Sequence, residues 1–152
     1  MIQIGLIQQE DLETLALLYF ELTGERTDDE RMADTFQRLQ SNPDYILLGA
    51  RRGNQLVGSL MGIVCYEMVG QCKPFMIIEN VIVSNKYRRM GIGRALMGRI
   101  EEIAMEKGCS VIQFVSSAYR KEAHRFYESV GYGLDVVQGF RKYLSSGFVK
   151  KE

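Results

Sequence analysis

Arg88-Arg89-Met90-Gly91-Ile92-Gly93-Arg94 joins an apolar run over residues 75–83 to an amphipathic stretch over residues 95–107, with three arginines at the junction. That order predicts strand, glycine turn, helix. The start of a helix presents unpaired backbone N–H groups and the positive end of a dipole. Glycine lets a ligand's oxygens approach those N–H groups, and arginine adds charge and forked donors suited to phosphate. The segment reads as a cradle for a phosphorylated ligand.

Upstream, Ile2, Ile4 and Leu6 alternate as a short strand. Residues 11–22 set Leu12, Leu15, Ala16, Leu18 and Tyr19 at helical spacing, with Gly24 beyond the end. Thr27-Asp28-Asp29-Glu30 has the form of a capping box and opens a helix that Ser41-Asn42-Pro43-Asp44 breaks. Strands are predicted over residues 45–50, 55–66 and 75–84, the first two joined by a turn at Arg52-Gly53-Asn54. The helix from Arg94 carries Leu96, Ile100, Ile103 and Ala104 on one face and stops at Gly108. A strand over residues 111–116, a helix over 121–130 and one or two closing strands within 132–144 complete the chain. Strands joined first by hairpins and then through helices make a mixed sheet, with 75–84 and 111–116 parallel. The expected fold is α/β (α+β), one domain over residues 1–152. Its central sheet is mixed and mostly antiparallel, of six to seven strands with about four helices. Ligands in open α/β sheets sit beyond the carboxyl ends of parallel strands, where the arginine–glycine segment lies.

The bulk composition narrows the partners. The chain has 152 residues, 46% hydrophobic and 25% charged, with zero formal net charge. Neither nucleic acid nor an anionic membrane is attracted by bulk charge, so the arginine cluster is a local feature. Cys65, Cys72 and Cys109 show no CxxC spacing and His124 is the only histidine, which argues against a structural zinc or any other metal site and against a disulfide framework. No apolar run reaches the roughly 18 residues of a membrane span. Met1-Ile2-Gln3-Ile4 lacks a signal peptide's basic region, and Ile2 stands where myristoylation needs glycine. A cytoplasmic protein with reduced thiols is expected.

Three phosphate ligands could use such a turn. A P-loop needs Lys and Ser/Thr after its last glycine, and Gly93 is followed by Arg94 and Ala95. A dinucleotide fingerprint needs a third glycine where Leu96 stands. The third is coenzyme A. Arg88-x-x-Gly91-x-Gly93, preceded by Glu79-Asn80-Val81-Ile82-Val83, resembles the (Gln/Arg)-x-x-Gly-x-(Gly/Ala) signature of the GNAT superfamily of acyl-CoA-dependent N-acyltransferases. A second block, Ala123-His124-Arg125-Phe126-Tyr127 with Gly131-Tyr132 after it, resembles that family's Ala-x-x-Phe-Tyr-x-x-x-Gly-(Phe/Tyr) helix end. The likeness is sharp over residues 75–132 and only topological before residue 69.

The resemblance implies a GNAT-like sheet with a splayed parallel strand pair and acetyl-CoA as co-substrate, without a metal. It implies that the pyrophosphate rests on the N–H groups of Arg89, Met90, Gly91, Ile92, Gly93 and Arg94, with charge from Arg88 and Arg94. Val81, Ile82 and Val83 would supply backbone groups to the pantetheine arm, and an N–H near Val81 would hold the developing oxyanion. Ala123 would let the arm pass. Arg120 takes the place of a frequent family Asn and can reach a phosphate.

Tyr127 is the general acid the resemblance implies for the leaving thiolate; the plainer reading is an aromatic packed on Phe126. Glu79 is a carboxylate in an apolar strand, so it is paired, protonated or open to a cleft. In the last case it suits deprotonation of an acceptor amine. His124 is read as a surface or adenosine-end residue, and Cys109 as inert packing. The expected acceptor is a small-molecule or peptide amine. Acidic residues over 21–34 suit a cation, though helix capping explains Asp28, Asp29 and Glu30. The resemblance leaves oligomeric state open; a homodimer, common in that family, would use the strand pair over residues 132–144. A CoA-binding regulatory module, or a transferase of longer acyl chains, remain alternatives.

Overall fold

A computed structural model describes residues 1–145. One compact unit, Met1–Phe114, carries a single sheet of five strands in the order β1-β2-β3-β4-β5. β1 (Ile2–Leu6), β2 (Tyr45–Arg52), β3 (Gln55–Cys65) and β4 (Phe75–Val83) pair antiparallel in succession. β5 (Ile112–Gln113) adds to β4 in parallel. Three helices pack on this sheet: α1 (Leu12–Thr23), α2 (Asp29–Gln40) and α3 (Ile92–Glu106). A second unit begins at Val115 and contains α4 (Lys121–Ser129).

Each face of the sheet has its own apolar cover. Ile7, Leu15, Leu18, Phe36, Leu56 and Ile82 form one buried cluster, so α1 and α2 share a face. On α3 the stripe Ile92, Leu96, Met97, Ile100, Ile103 and Ala104 is buried. It lies close on β3 because two strand positions are glycine. A Cβ on Gly62 would sit 2.7 Å from Ile100 Cδ1, and one on Gly58 would sit 3.3 Å from both Ile92 Cγ2 and Leu96 Cδ1. The chain's entry to α1 is tied to β2 by an ion pair between Asp11 and Arg51, and Asp11 Oδ2 also accepts the Gln8 N–H at 2.7 Å.

Several boundaries differ from the sequence reading. α2 is capped by Asp28 rather than Thr27: Asp28 Oδ1 accepts the Arg31 N–H at 3.0 Å. A carboxylate is the better acceptor at a helix N-terminus. α3 begins at Ile92, two residues before Arg94. The strand expected over 111–116 shrinks to Ile112 and Gln113. Among the described residues the sheet has five strands, not the six to seven expected. No strand forms within the described part of residues 132–144, so the expected dimer edge has no strand to offer. Asp135, at φ 59°, interrupts any extended run there. No helix among the described residues is long and apolar enough to cross a membrane.

Candidate functional site

β4 is built in two phases. Before residue 80, Met61 on β3 pairs with Glu79; after it, Ser59 pairs with Ile82. Two residues of β4, Asn80 and Val81, thus face the single residue Leu60, which is a β-bulge. Asn80 takes φ 56°, a left-handed conformation that asparagine tolerates better than most side chains.

The bulge changes what each residue offers. The Ser84 N–H donates to the Val57 carbonyl at 2.9 Å, so Ser84 and, two residues back, Ile82 aim their backbone at β3. The N–H groups of Val81 and Val83 then point to the opposite edge. That edge is open: the parallel ladder with β5 covers only Met76 and Ile77. The bulge, a place where strands bend, begins three residues on at Asn80. Of the three residues 81–83, Val81 and Val83 therefore present backbone to the open edge, whereas Ile82 is 4% exposed and packs in the α1–α2 cluster.

Past β4 the chain turns through a 3₁₀ segment, Asn85–Tyr87, into the glycine loop. Arg89 and Gly91 both adopt left-handed backbone, φ 63° and 79°. Gly91 is the N-cap of α3 and no side chain caps the helix. Among the described residues no acceptor takes the N–H groups of Ile92, Gly93 and Arg94. Free N–H groups at a helix start suit an anion. Arg89, Met90 and Arg94 are exposed around them, and the Ile92 side chain is buried. Arg88 is exposed too, but its Nε donates to the Val83 carbonyl at 3.3 Å, which seats a guanidinium on the open edge of β4.

The loop's approach is clamped from a distance. Glu21 of α1 accepts the Asn85 N–H at 3.0 Å on one carboxylate oxygen and the Ser84 hydroxyl at 3.4 Å on the other. The Tyr87 hydroxyl bonds Gln55 Oε1 at 3.0 Å, and Arg52 lies 5.7 Å from the Tyr87 ring centre. Sequence reasoning saw Glu21 only as one acid in an acidic stretch. Nothing local signals a carboxylate that serves a turn 64 residues away.

Glu79 is half-buried, and none of the described residues hydrogen-bonds or pairs with it. Gly62 and Met76 face α3, so by strand alternation Glu79 lies on the opposite face, the one shared with α1 and α2. On α1, burial pushes the Tyr19 phenol up to about 12, so it is a neutral donor at any physiological pH. Burial also raises the Cys109 thiol, Lys107 opposing it only partly, which disfavours a thiolate nucleophile.

In the second unit, Tyr127 is 6% exposed with its ring 5.4 Å from that of Phe126. Arg120 caps α4 and Ala123 follows in its first turn, both half-buried. His124 Nε2 lies 3.0 Å from the Ser117 carbonyl. A carbonyl only accepts, so Nε2 carries the proton and donates. Ser116 Oγ is buried without a hydrogen-bond partner among the described residues, a second feature that sequence reasoning missed.

Thialysine N-epsilon-acetyltransferase of Bos taurus is 28% identical over 76 residues, 49% of this chain and 45% of that protein. The chain thus matches less than half the length of that relative. Aminoglycoside N(6')-acetyltransferase type 1 of Acinetobacter genomosp. 13 is 30% identical over 122 residues, 76% of this chain and 82% of that one. The crystal structure of a transcriptional regulator from Bacillus halodurans C-125 superposes with a TM-score of 0.87 at 25% identity, covering 94% of this chain and 99% of that chain. The model of the acetyltransferase (GNAT) family matches residues 10–132, a span that includes the bulged strand, the glycine loop and α4, and the chain belongs to that family.

Proposed function

We propose that the protein is an acetyl-CoA-dependent N-acetyltransferase that acts on a primary amine, working as one cytoplasmic domain. The observation that supports this best is the open edge of β4, which presents the Val81 and Val83 N–H groups and leads into the uncapped start of α3. In this reading the coenzyme's pyrophosphate takes the N–H groups of Ile92, Gly93 and Arg94, with Arg89 and Arg94 adding charge. The pantetheine arm lies along β4 as an added strand. Arg120 reaches a phosphate and Ala123 leaves room for the arm.

The amine nitrogen attacks the thioester carbonyl carbon directly. Glu79, itself or through one water, takes the proton the amine loses. The Val81 N–H holds the oxyanion while the C–N bond forms. The C–S bond then breaks, and the thiolate takes a proton from Tyr127. Both side chains regain their starting states by exchange with water.

Free thiol should appear when acetyl-CoA and a suitable amine are mixed with the protein. Tight acetyl-CoA binding without thiol release from any amine would instead favour a CoA-binding regulatory module. Tyr127→Phe is expected to lower kcat about 100-fold at saturating acetyl-CoA. An unchanged kcat would remove Tyr127 from the mechanism. Glu21→Ala frees the approach to the glycine loop, so KM for acetyl-CoA should rise about 5-fold with little change in kcat. Glu21→Gln keeps an acceptor for the Asn85 N–H and should recover part of that loss.

A further inference from the structure

We infer that the acceptor is a monoamine with an apolar or aromatic body, held on the sheet face beside Glu79. This rests on the acetyltransferase reading and narrows its substrate class. The rows that cross the sheet on that face are set by strand pairing. Leu47, Met61 and Glu79 form one row; Tyr45, Ile63, Ile77 and, at the β5 end, Gln113 form the next. The row between them, Ile46, Gly62 and Ile78, faces α3, as the contact of Gly62 with Ile100 shows.

Leu47 packs against the α1–α2 cluster. Tyr45, Met61, Ile63 and Ile77 lie outside it and stay half-buried. Neighbours across a row stand about 5 Å apart, and successive rows on one face about 7 Å apart. The result is a mostly apolar ledge running from Glu79 toward the start of β4. Glu79 is the only charged group in the two rows. Its carboxylate has no partner among the described residues, so it complements one ammonium group. The ledge offers no second carboxylate for a polyamine's next nitrogen. It has no row of polar groups for an aminoglycoside's hydroxyls and no cation for a sugar phosphate. An apolar body laid on Met61, Ile63 and Ile77 removes surface from water on both sides.

Two measurements on the full chain test this. The first is thiol release with 2-phenylethylamine, spermidine, kanamycin and glucosamine 6-phosphate as acceptors. 2-Phenylethylamine should show kcat/KM at least about 10-fold above the others, and Ile77→Thr should lower its value about 10-fold. The second uses no turnover: methyl NMR of the wild-type protein with coenzyme A and 2-phenylethylamine, in which Ile63 and Ile77 should shift. Preference for spermidine, kanamycin or the sugar phosphate overturns the substrate class and leaves acetyl transfer standing. Methyl shifts without thiol release from any amine overturn acetyl transfer and leave the ledge standing. Neither shifts nor turnover overturns both.

Discussion

Glu79→Gln is expected to lower kcat about 100-fold or more near neutral pH, with KM for acetyl-CoA almost unchanged. The substitution keeps the shape of the side chain and removes its charge, and with the charge its ability to take a proton. Glu79 has no protein partner among the described residues, so the change breaks no ion pair and folding should survive it. The pH profile separates this role from a packing role. An alkyl amine has a pKa near 10, so its free-base fraction rises about tenfold per pH unit below that value. The variant depends wholly on that fraction, so its rate should climb with pH and the gap to wild type should narrow above about pH 9. A defect constant from pH 7 to 10 would show that Glu79 does something other than accept a proton. An unchanged rate at pH 7 would exclude it as the base.

Gly58→Val should destabilise the protein by about 3 kcal/mol. A Cβ at this position would lie 3.0 Å from the Ile82 carbonyl oxygen and 3.3 Å from Ile92 and Leu96 of α3. The nearest atom is backbone, which cannot swing aside as a side-chain tip can. Valine adds two further methyl groups to a space that one carbon already overfills. The urea midpoint should fall without a change in slope, the sign of lost stability rather than an altered unfolded state. Relief by lifting α3 would move Ile92 at its first turn, so KM for acetyl-CoA should rise as well. Gly98 is the contrast. It lies in the middle of α3 with nothing within 4 Å of its would-be Cβ, so Gly98→Ala should stabilise by about 0.5–1 kcal/mol. A stable Gly58→Val protein with normal acetyl-CoA kinetics would mean that α3 is not seated on β3 as described.

The parts of this fold that were legible in the sequence are those whose signals are local. The glycine loop announces itself because Gly91 at φ 79° needs a residue without a Cβ. α1 ends at Gly24 for the same reason, at φ 74°. The bulge at Asn80 left no such mark: in the sequence Asn80 is only a polar intrusion in an apolar run, and its meaning depends on pairing with β3. The brevity of β5 is equally non-local. Val111-Ile112-Gln113-Phe114-Val115 has ample strand propensity, yet propensity becomes a strand only where a neighbour offers a straight edge. On β4 the parallel ladder covers only Met76 and Ile77. For the site, Glu79 could be singled out because a carboxylate among Ile and Val is costly, whereas the Glu21 clamp joins residues far apart in the chain and has no signature in either.

The bulged strand also divides labour between two kinds of chemical memory. In the proposed reading, β4 works through side chains upstream of Asn80: Ile77 and Glu79 face the acceptor, and a substitution there would rewrite what is recognised. Downstream it works through peptide groups at Val81 and Val83, which every residue except proline carries in the same form. On that reading, mutation could explore new amines along one half of a single strand without disturbing how the other half grips the donor.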